Sequence, residues 1–257
     1  MKELHVAVVM PAYNEEAIGD FVREVCDEVV PRVRRLSVVV VDDASRTPVR
    51  RALTPRTDCS MVVLRHESNQ GHGPSVLDAY RAGLATGADV VVHADGDGQV
   101  DPVSLLEMAG VASVHRIAVG KRTGRKDPWF RRLLTCLAGH CLAGRGRLAD
   151  SNSPVRAFRA DALHQVLIHL PARAVVPHLL MNIVMADLGA VVRIVSIQDR
   201  PRRGETAVGT TWQPRRLRLL PPAGLTAFAA RAVLEVLGFR LRGVARGAAE
   251  PDVRLAA

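Results

Sequence analysis

The sequence is poor in aromatic residues and contains no long apolar run. Only 4% of its 257 residues are aromatic, and they do not alternate with the basic stretches. A base-stacking platform for nucleic acid is therefore not expected. The uncharged apolar runs at 174–186 and 219–230 are shorter than the roughly 18 residues that indicate a membrane-spanning helix, so an integral membrane protein is not predicted. No signal peptide is expected before the apolar run that begins at Leu4.

Cysteine and histidine patterns of metal or redox proteins are also missing. No CxxC spacing joins Cys26, Cys59, Cys136 and Cys141, and we expect them to be buried thiols in a reducing cytosol. None of the nine histidines falls in an HExxH pattern. The glycine-rich stretch at 69–73 does not match GxGxxG, which disfavours a nicotinamide cofactor.

Positive charge is concentrated in two blocks of the chain. The net charge is +9, yet residues 1–115 hold 11 basic and 17 acidic side chains. Residues 116–159 hold 11 basic and 2 acidic side chains, and residues 200–257 hold 11 and 4. Such basic blocks attract phosphate groups. Small or lipid-linked phosphates are favoured over nucleic acid because the few aromatic residues do not alternate with the basic stretches. An arginine-rich solvated surface is the alternative.

Hydrophobic periodicity predicts alternating strands and helices. Strands are expected over 4–10, 36–41, 61–64, 89–93, 117–119, 155–158 and 191–197. Helices are expected over 16–30, 73–85, 129–142, 174–188 and 225–246, with a further helix that has Pro102 in its first turn and an irregular segment over 201–222. Repeated β-α-β units give an α/β domain with a mainly parallel, twisted sheet and helices on both faces. Ligands of such sheets bind beyond the carboxyl ends of the strands.

The sharpest chemical feature follows the fourth predicted strand. If the segment is extended, Asp95 and Asp97 face the same way and Gln99 follows on that side. Gly96 and Gly98 allow a ligand to approach the backbone. Two hard oxygen donors beside a diphosphate are typical of an Mg²⁺ or Mn²⁺ site. A glycine- and aspartate-rich turn without a ligand is the alternative.

Other polar segments also follow predicted strands. Tyr13 offers an aromatic face for a nucleobase, and Asn14 and Glu15 offer polar contacts, although Asn14 could instead cap the following helix. The segment 42–45 could bind a base or a ribose, or it could cap a turn. The glycine-rich turn at 69–73 leads into a helix.

Taken in order, seven blocks resemble the family 2 glycosyltransferases with the GT-A fold, and especially their dolichyl- or polyprenyl-phosphate sugar synthase branch. The blocks are PAYNEE (11–16), VVVDDAS (39–45), HESNQGHGPSVLDAYRAG (66–83), DGDGQVDP (95–102), GKR (120–122), DSNSPVRAFR (150–159) and PRRGET (201–206). The resemblance covers roughly residues 1–210. It implies a GT-A-type single domain with a Rossmann-like N-terminal half, followed by a basic extension over 211–257.

The resemblance also implies a donor site. Four residues would hold the nucleoside of a GDP- or UDP-linked sugar: Pro11, Tyr13, Glu15 and Asp43. Asp95 would lie near the ribose and the cation, while Asp97 and Gln99 would ligate Mg²⁺ or Mn²⁺. Gly73, in the glycine-rich turn, belongs with these donor-binding residues.

Basic residues after the metal motif would meet the donor diphosphate or the acceptor phosphate. The resemblance assigns this role to Arg122 and Arg131, with Arg132 as a substitute for the latter, and places Arg202 on a loop over the diphosphate. For each of them a solvated surface charge is the alternative. If the acceptor is a hydroxyl, a carboxylate must take its proton, and Asp150 is the candidate base, unless it caps a turn.

The expected activity is inverting, metal-dependent transfer of a hexose from a nucleoside diphosphate sugar to a polyprenyl phosphate. The alternatives are transfer to a hydroxyl of a natural product or saccharide, and a non-catalytic protein that binds sugar nucleotides or membranes. Two departures from the family pattern concern the acceptor side. Where the family has a small residue followed by Gly-Phe-Arg, this chain has Ser-Pro-Val-Arg at 153–156. Where the family has Gly-x-Ser-Lys, this chain has Gly-Glu-Thr-Ala at 204–207.

The C-terminal extension can be drawn as a helix with arginines on a narrow stripe. Arg231, Glu235, Arg242 and Arg246 share this stripe, and most other positions are apolar. Such a segment could lie on the anionic inner face of a membrane, or it could pack on the domain or in an oligomer interface. We expect a cytoplasmic protein. In the first of these two alternatives it would also contact the inner face of the membrane as a peripheral protein.

Overall fold

The computed structural model describes residues 1–123, 153–198, 200–201 and 223–242. Its strands are β1 (His5–Ala12), β2 (Arg35–Asp42), β3 (Ser60–Arg65), β4 (Val90–His93), β5 (Ile117–Thr123), β6 (Arg156–Arg159) and β7 (Arg193–Gln198). Its α-helices are α1 (Ile18–Val29), α2 (His72–Ala85), α3 (Pro102–His115), α4 (Ala160–Leu167), α5 (Pro177–Asp187) and α6 (Ala223–Arg242). Single 3₁₀ turns cover Val30–Arg32 and Val49–Arg51.

The strands form one sheet in the order β3-β2-β1-β4-β6-β5-β7. Neighbours in the first half, from β3 to β4, are all parallel, and β7 is parallel to β5. Only β6 runs against its neighbours β4 and β5 in the described sheet. The mainly parallel sheet and its Rossmann-like first half are thereby confirmed.

Helices cover both faces of the sheet, which explains the continuous apolar strands. Along β1, Val6, Val8 and Met10 belong to the core on the side of α1 and α3. Ala7 and Val9 belong to the opposite core, which α2, α4, α5 and α6 cover. A strand buried on both faces needs apolar residues at successive positions rather than at alternate ones.

Most predicted elements are present, with shifted ends. Pro102 occupies the first turn of α3 as predicted, and the Asp101 side chain caps this helix by accepting the Val103 N–H at 2.9 Å. The predicted helix over 174–188 begins later, at Pro177, where proline fits the first turn. Helix α4 was not predicted, because its eight residues follow β6 directly without a turn signal. The predicted helix 129–142 lies outside the described residues, as does almost all of the irregular segment 201–222.

The cysteine prediction is correct for one described thiol and wrong for the other. Cys26 is buried on α1, but Cys59, which precedes β3, is only partly buried. Their sulfur atoms lie 3.4 Å apart. Cys136 and Cys141 lie outside the described residues. Among the described helices, none combines the length and hydropathy that crossing a membrane requires.

Candidate donor and metal site

The ends of β1, β2 and β4 meet at one edge of the sheet. Ala12 pairs with Asp42 in the β1–β2 register, and Val9 pairs with His93 in the β1–β4 register. On one side of β1, the Asp43 N–H donates to the Ala12 carbonyl at 2.9 Å. On the other side, the Gly96 N–H donates to the Pro11 carbonyl at 3.3 Å. The segments predicted to bind the donor nucleoside and the cation are therefore adjacent.

The metal motif is held in a turn, not in an extended segment. The prediction of an extended segment is wrong because β4 ends at His93 and Gly96 and Asp97 form a turn. Gly98 adopts a left-handed φ of 70°, which favours glycine. The Asp97 carboxylate closes the turn by accepting the Gln99 N–H at 3.1 Å. A Cβ at Gly96 would lie 2.8 Å from the terminal methyl of Ile18 and 3.2 Å from the Pro11 carbonyl oxygen, so a larger residue here would force its neighbours to shift.

The two carboxylates of this turn differ in exposure and in hydrogen bonding. Asp97 is buried, whereas the Asp95 side chain keeps 32% of its surface exposed. Oxygen Oδ1 of Asp95 is itself buried and accepts no hydrogen bond from the described residues. A carboxylate oxygen without a hydrogen-bond partner, two residues from a second carboxylate, is the kind of donor that a hard divalent cation accepts. The described residues contain no group of three His, Cys, Asp or Glu side chains that could hold a metal ion, so Gln99 and phosphate oxygens would complete the ligand set.

Asn14 joins the ends of β1 and β2. The alternative that Asn14 caps α1 is wrong, because α1 begins at Ile18 and its first turn has no side-chain cap. Asn14 instead has a φ of 53°, accepts the Arg46 N–H at 2.8 Å, and donates its own N–H to Ser45 Oγ at 2.9 Å. This arrangement leaves Tyr13 partly exposed at the edge of the site.

Asp42 and Asp43 have different structural tasks. Asp42 is fully buried and caps the following turn, since it accepts the N–H groups of Ser45 at 2.9 Å and Val49 at 3.1 Å and pairs with Arg65. Burial alone would raise its pKa, but these hydrogen bonds hold the pKa below its usual range. The turn-capping alternative is therefore correct for Asp42.

Asp43 fixes the glycine-rich turn before α2. Its carboxylate accepts the N–H groups of Gln70 at 2.7 Å and Gly71 at 2.9 Å, and it lies 2.8 Å from His66 Nδ1. Asp43 is 3% exposed. Contact between Asp43 and a nucleoside stays a prediction; what the structure adds is that this side chain positions the turn next to the site.

The start of α2 faces the metal turn. Gly71, which precedes the helix, has a φ of 91°. A Cβ at Gly73 would lie 1.9 Å from the Ala174 carbonyl oxygen, so only glycine permits this contact. His72 was not singled out from the sequence, yet its Nε2 lies 3.9 Å from Asp95 Oδ1. The sequence feature that could have indicated His72 is its position inside the glycine-rich turn at 69–73.

The basic residues predicted from the resemblance are only partly described. Arg122 lies near the end of β5 and is partly buried. Arg131, Asp150 and Arg202 lie outside the described residues, so their roles remain predictions. A further arginine is described instead: Arg200 donates its backbone N–H to the Gln99 carbonyl at 2.8 Å and its guanidinium to Asp101 at 2.6 Å.

A buried polar cluster lies behind the metal turn. Arg156 is fully buried and donates to the Ser153 carbonyl at 3.0 Å and to Asn182 at 2.7 Å. His93 donates from Nδ1 to the Pro154 carbonyl at 2.5 Å. Burial lowers the pKa of His93 to about 4, so the ring is neutral at pH 7. These bonds fix the start of β6 against the end of β4.

Tyr80 and His178 complete this cluster on the helix side. The Tyr80 hydroxyl lies 3.3 Å from His178 Nε2, and the His93 and His178 rings are 4.9 Å apart. Burial is the main cause that lowers the pKa of His178 well below its ordinary value, with Arg156 adding to the effect. No sequence pattern indicates this cluster, because its members are far apart along the chain.

Comparison with known proteins places the chain among sugar-transferring enzymes. The family described as glycosyl transferase family 2 matches residues 7–157, which is more than half of the chain. A curated relative named undecaprenyl-phosphate mannosyltransferase, from Micrococcus luteus, is 28% identical over 173 residues, covering 63% of this chain and 70% of the relative. A second, UDP-N-acetylglucosamine–dolichyl-phosphate N-acetylglucosaminyltransferase from Methanococcus voltae, is 23% identical, covering 67% and 76%.

A solved structure supports the fold. It is glucosyl-3-phosphoglycerate synthase from Mycobacterium tuberculosis in complex with Mn²⁺, UDP-glucose and glycerol 3-phosphate. Its TM-score with this chain is 0.61 at 19% identity, and the match covers 92% of this chain and 80% of the other. At this identity the likeness shows the fold alone.

Proposed function

This chain belongs to glycosyl transferase family 2, and on that premise we propose that it transfers a hexose from a nucleoside diphosphate sugar to a polyprenyl phosphate with inversion at the anomeric carbon. Two relatives are named for transfer to undecaprenyl phosphate and dolichyl phosphate, which supports the lipid acceptor. The observation that carries the proposal is the unsatisfied Asp95 oxygen in the turn that also holds Asp97.

The donor nucleoside would lie between the ends of β1 and β2. Tyr13 is partly exposed there, and Asn14 holds the two strand ends together through Ser45 and Arg46. Pro11 and Glu15 flank this position on β1 and its following loop. A base stacked on Tyr13 would place the diphosphate toward Asp95 and the start of α2, where the helix dipole favours negative charge.

Leaving-group stabilisation is the chemical task of the site. Asp95, Asp97 and Gln99 would hold Mg²⁺ or Mn²⁺, and when bound this cation supplies a counter-charge for the departing diphosphate. The Asp97–Gln99 hydrogen bond fixes the turn before the donor binds. Arg122, and by prediction Arg131 and Arg202, would add positive charge around the phosphates.

The acceptor determines whether a base is needed. A phosphate oxygen is already anionic and attacks the anomeric carbon directly, whereas a hydroxyl must lose its proton, by prediction to Asp150. Transfer to a hydroxyl of a natural product or saccharide is the second candidate. For the lipid acceptor we also propose peripheral association with the inner face of a membrane.

The test is transfer from labelled UDP- and GDP-sugars to a short-chain polyprenyl phosphate with Mn²⁺ or Mg²⁺. We expect lipid-extractable label from the wild-type protein, and a loss of about 100-fold or more for Asp97→Asn. Asp20→Asn is the matched control, because this carboxylate lies on the exposed surface of α1 beside Arg23. Label found only in water-soluble product would exclude the lipid acceptor, and full activity of Asp97→Asn would exclude the metal site.

A further inference from the structure

Helix α6 has two apolar faces, of which only one packs on the rest of the described structure. Val236 and Phe239 are buried in the core on the side of α2 and α5. On the opposite side Leu234 is 70% exposed, Leu237 44% and Leu241 89%. The spacing of these leucines places them on one helical stripe. A contiguous exposed apolar stripe marks an interaction surface more often than an isolated apolar residue does.

A specific polar contact fixes which face of α6 points outward. The Glu235 carboxylate accepts the N–H groups of Val175 and Val176, both at 2.9 Å. These N–H groups precede α5, so the negative charge also lies at the favourable end of that helix. Rotation of α6 that buried Leu234 and Leu237 would break both hydrogen bonds. The outward orientation of the leucines is therefore built into the packing.

The same contact connects α6 to the candidate donor site. The loop that Glu235 binds includes Ala174, whose carbonyl packs directly against Gly73 at the start of α2. The neighbouring His72 faces Asp95 across the site. Three successive contacts thus connect α6 to the metal turn.

We propose that the outer face of α6 docks on the surface of an anionic lipid bilayer. This face consists of Val233, Leu234, Leu237 and Leu241. These side chains would enter the boundary between headgroups and acyl chains, with the helix lying in the plane of the membrane. The proposal deepens and rests on the proposed function, because a polyprenyl phosphate is held in a bilayer and the docked helix would keep the donor site beside it.

Charge complementarity favours a bilayer over a second copy of the chain. Helix α6 contains three arginines and one acidic residue, Glu235, which binds the loop before α5, and Arg231 is exposed beside the apolar face. Two copies joined through α6 would bring two such positively charged helices together, whereas anionic headgroups neutralise them. Basic residues next to an apolar helix face strengthen attachment to anionic lipids in this way.

The experiment compares two triple variants of the full chain in vesicle sedimentation. Leu234→Ser/Leu237→Ser/Leu241→Ser removes the outer face of α6. The matched control, Val114→Ser/Ile168→Ser/Val191→Ser, removes three comparably exposed apolar residues elsewhere, which are 72%, 61% and 70% exposed. Vesicles of phosphatidylcholine, with and without phosphatidylglycerol, are the probes, and circular dichroism checks that both variants are folded.

We expect the wild-type protein and the control to bind the phosphatidylglycerol vesicles, and the α6 variant to bind about tenfold more weakly or worse. Equal binding of the α6 variant and the wild type, or no vesicle binding by the wild type, would overturn the proposal. A wild-type dimer that the α6 substitutions convert to a monomer, measured by light scattering, would overturn it in favour of self-association.

Transfer assays separate this proposal from the proposed function. Docking is wrong but the function stands if the wild type glycosylates a short-chain polyprenyl phosphate in solution and does not bind vesicles. The function is wrong but docking stands if vesicle binding depends on the α6 leucines and no sugar reaches the lipid phosphate. If docking and the proposed function are both correct, the α6 variant should still glycosylate the short-chain polyprenyl phosphate in solution. It should lose transfer to a polyprenyl phosphate held in vesicles.

Discussion

The carboxylate of Asp43 accepts the backbone N–H of Gly71 at 2.9 Å. This bond joins the end of β2 to the turn that opens α2, across 28 residues of sequence. A second oxygen of the same carboxylate accepts the Gln70 N–H and contacts His66. One buried acidic side chain therefore sets the position of the helix start that faces the metal turn.

Replacement of Asp43 by asparagine should weaken both the fold and donor binding. An amide offers only one acceptor oxygen, so at least one of the buried N–H groups of Gln70 and Gly71 would lose its partner. The expected loss is roughly 1–3 kcal/mol in the free energy of unfolding, with a higher KM for the donor. Asp58→Asn is the control, because Asp58 pairs with Arg56 on the surface. Urea unfolding and donor titration measure the two effects, and an unchanged donor KM would contradict the positioning role.

Two glycine-to-alanine substitutions should have opposite effects on stability. At Gly73 the new Cβ would meet the Ala174 carbonyl oxygen at 1.9 Å, which requires the backbone to move and should cost roughly 1–3 kcal/mol. At Gly110, inside α3, the nearest atom to the new Cβ is the Met1 sulfur at 3.4 Å. Alanine there should stabilise by about 0.5–1 kcal/mol, because glycine is costly inside a helix. Thermal unfolding of both variants gives the test. A change of Tm in the same direction for both variants would contradict the prediction.

The sequence predicted the sheet better than the site contacts. Runs of valine in β1, β2 and β4 specify buried strands by local pattern alone, and aspartates after β2 and β4 indicate the ligand-binding edge. The extended geometry at Asp97 was wrong because a positive φ at Gly98 closes a turn. The local sequence had left this geometry open, since a glycine- and aspartate-rich turn was the alternative to an extended segment.

Contacts between distant residues could not be predicted at all. His93 and His178 are separated by more than eighty residues, and their meeting depends on how β4 and α5 pack. The same holds for Glu235. Its side chain lies on the predicted stripe of the C-terminal helix, and it accepts the N–H groups of Val175 and Val176 just before α5. A sequence pattern gives the face of a helix but not its partner.

Stability should fall as the pH drops below about 6.5, the ordinary pKa of histidine. The folded-state pKa of His178 lies well below that value, since burial disfavours the charged ring and four neighbouring groups add repulsion: Arg156, His93, His72 and Arg122. Between the two pKa values only the unfolded chain binds the proton. This stabilisation is thus complete above about pH 6.5 and is lost as the pH falls through that window.

His178→Phe should flatten this pH dependence. Phenylalanine keeps the ring contacts with Tyr80 and His93 but cannot take up a proton in the unfolded chain. The free energy of unfolding should then change with pH by roughly 1.4 kcal/mol per unit less than in the wild type. Urea titrations at pH 7.5, 6 and 5 measure the slope. The exposed His115→Gln variant is the control, and an identical slope in His178→Phe would contradict the assignment.

The ion pair of Arg200 and Asp101 should matter more for kcat/KM with the donor than for the free energy of unfolding. Their side chains are about one third exposed and 2.6 Å apart, so the ion pair itself should contribute only about 0–1 kcal/mol to folding. Asp101 also caps α3 through the Val103 N–H, and Asp101→Ala should cost roughly 1 kcal/mol more than Arg200→Ala. Because the Arg200 N–H binds the Gln99 carbonyl, loss of the side-chain pair should loosen the metal turn.

A double-mutant cycle of Arg200→Ala and Asp101→Ala on kcat/KM for the donor tests this coupling. If the pair holds the turn, the second substitution should add little once the first is present, since each removes the same contact. Arg32→Ala is the control, because Arg32 pairs with Glu28 on the surface of the chain after α1. Fully additive effects on kcat/KM would mean that Arg200 and Asp101 influence the donor independently, and the ion pair would then have no role in positioning the turn.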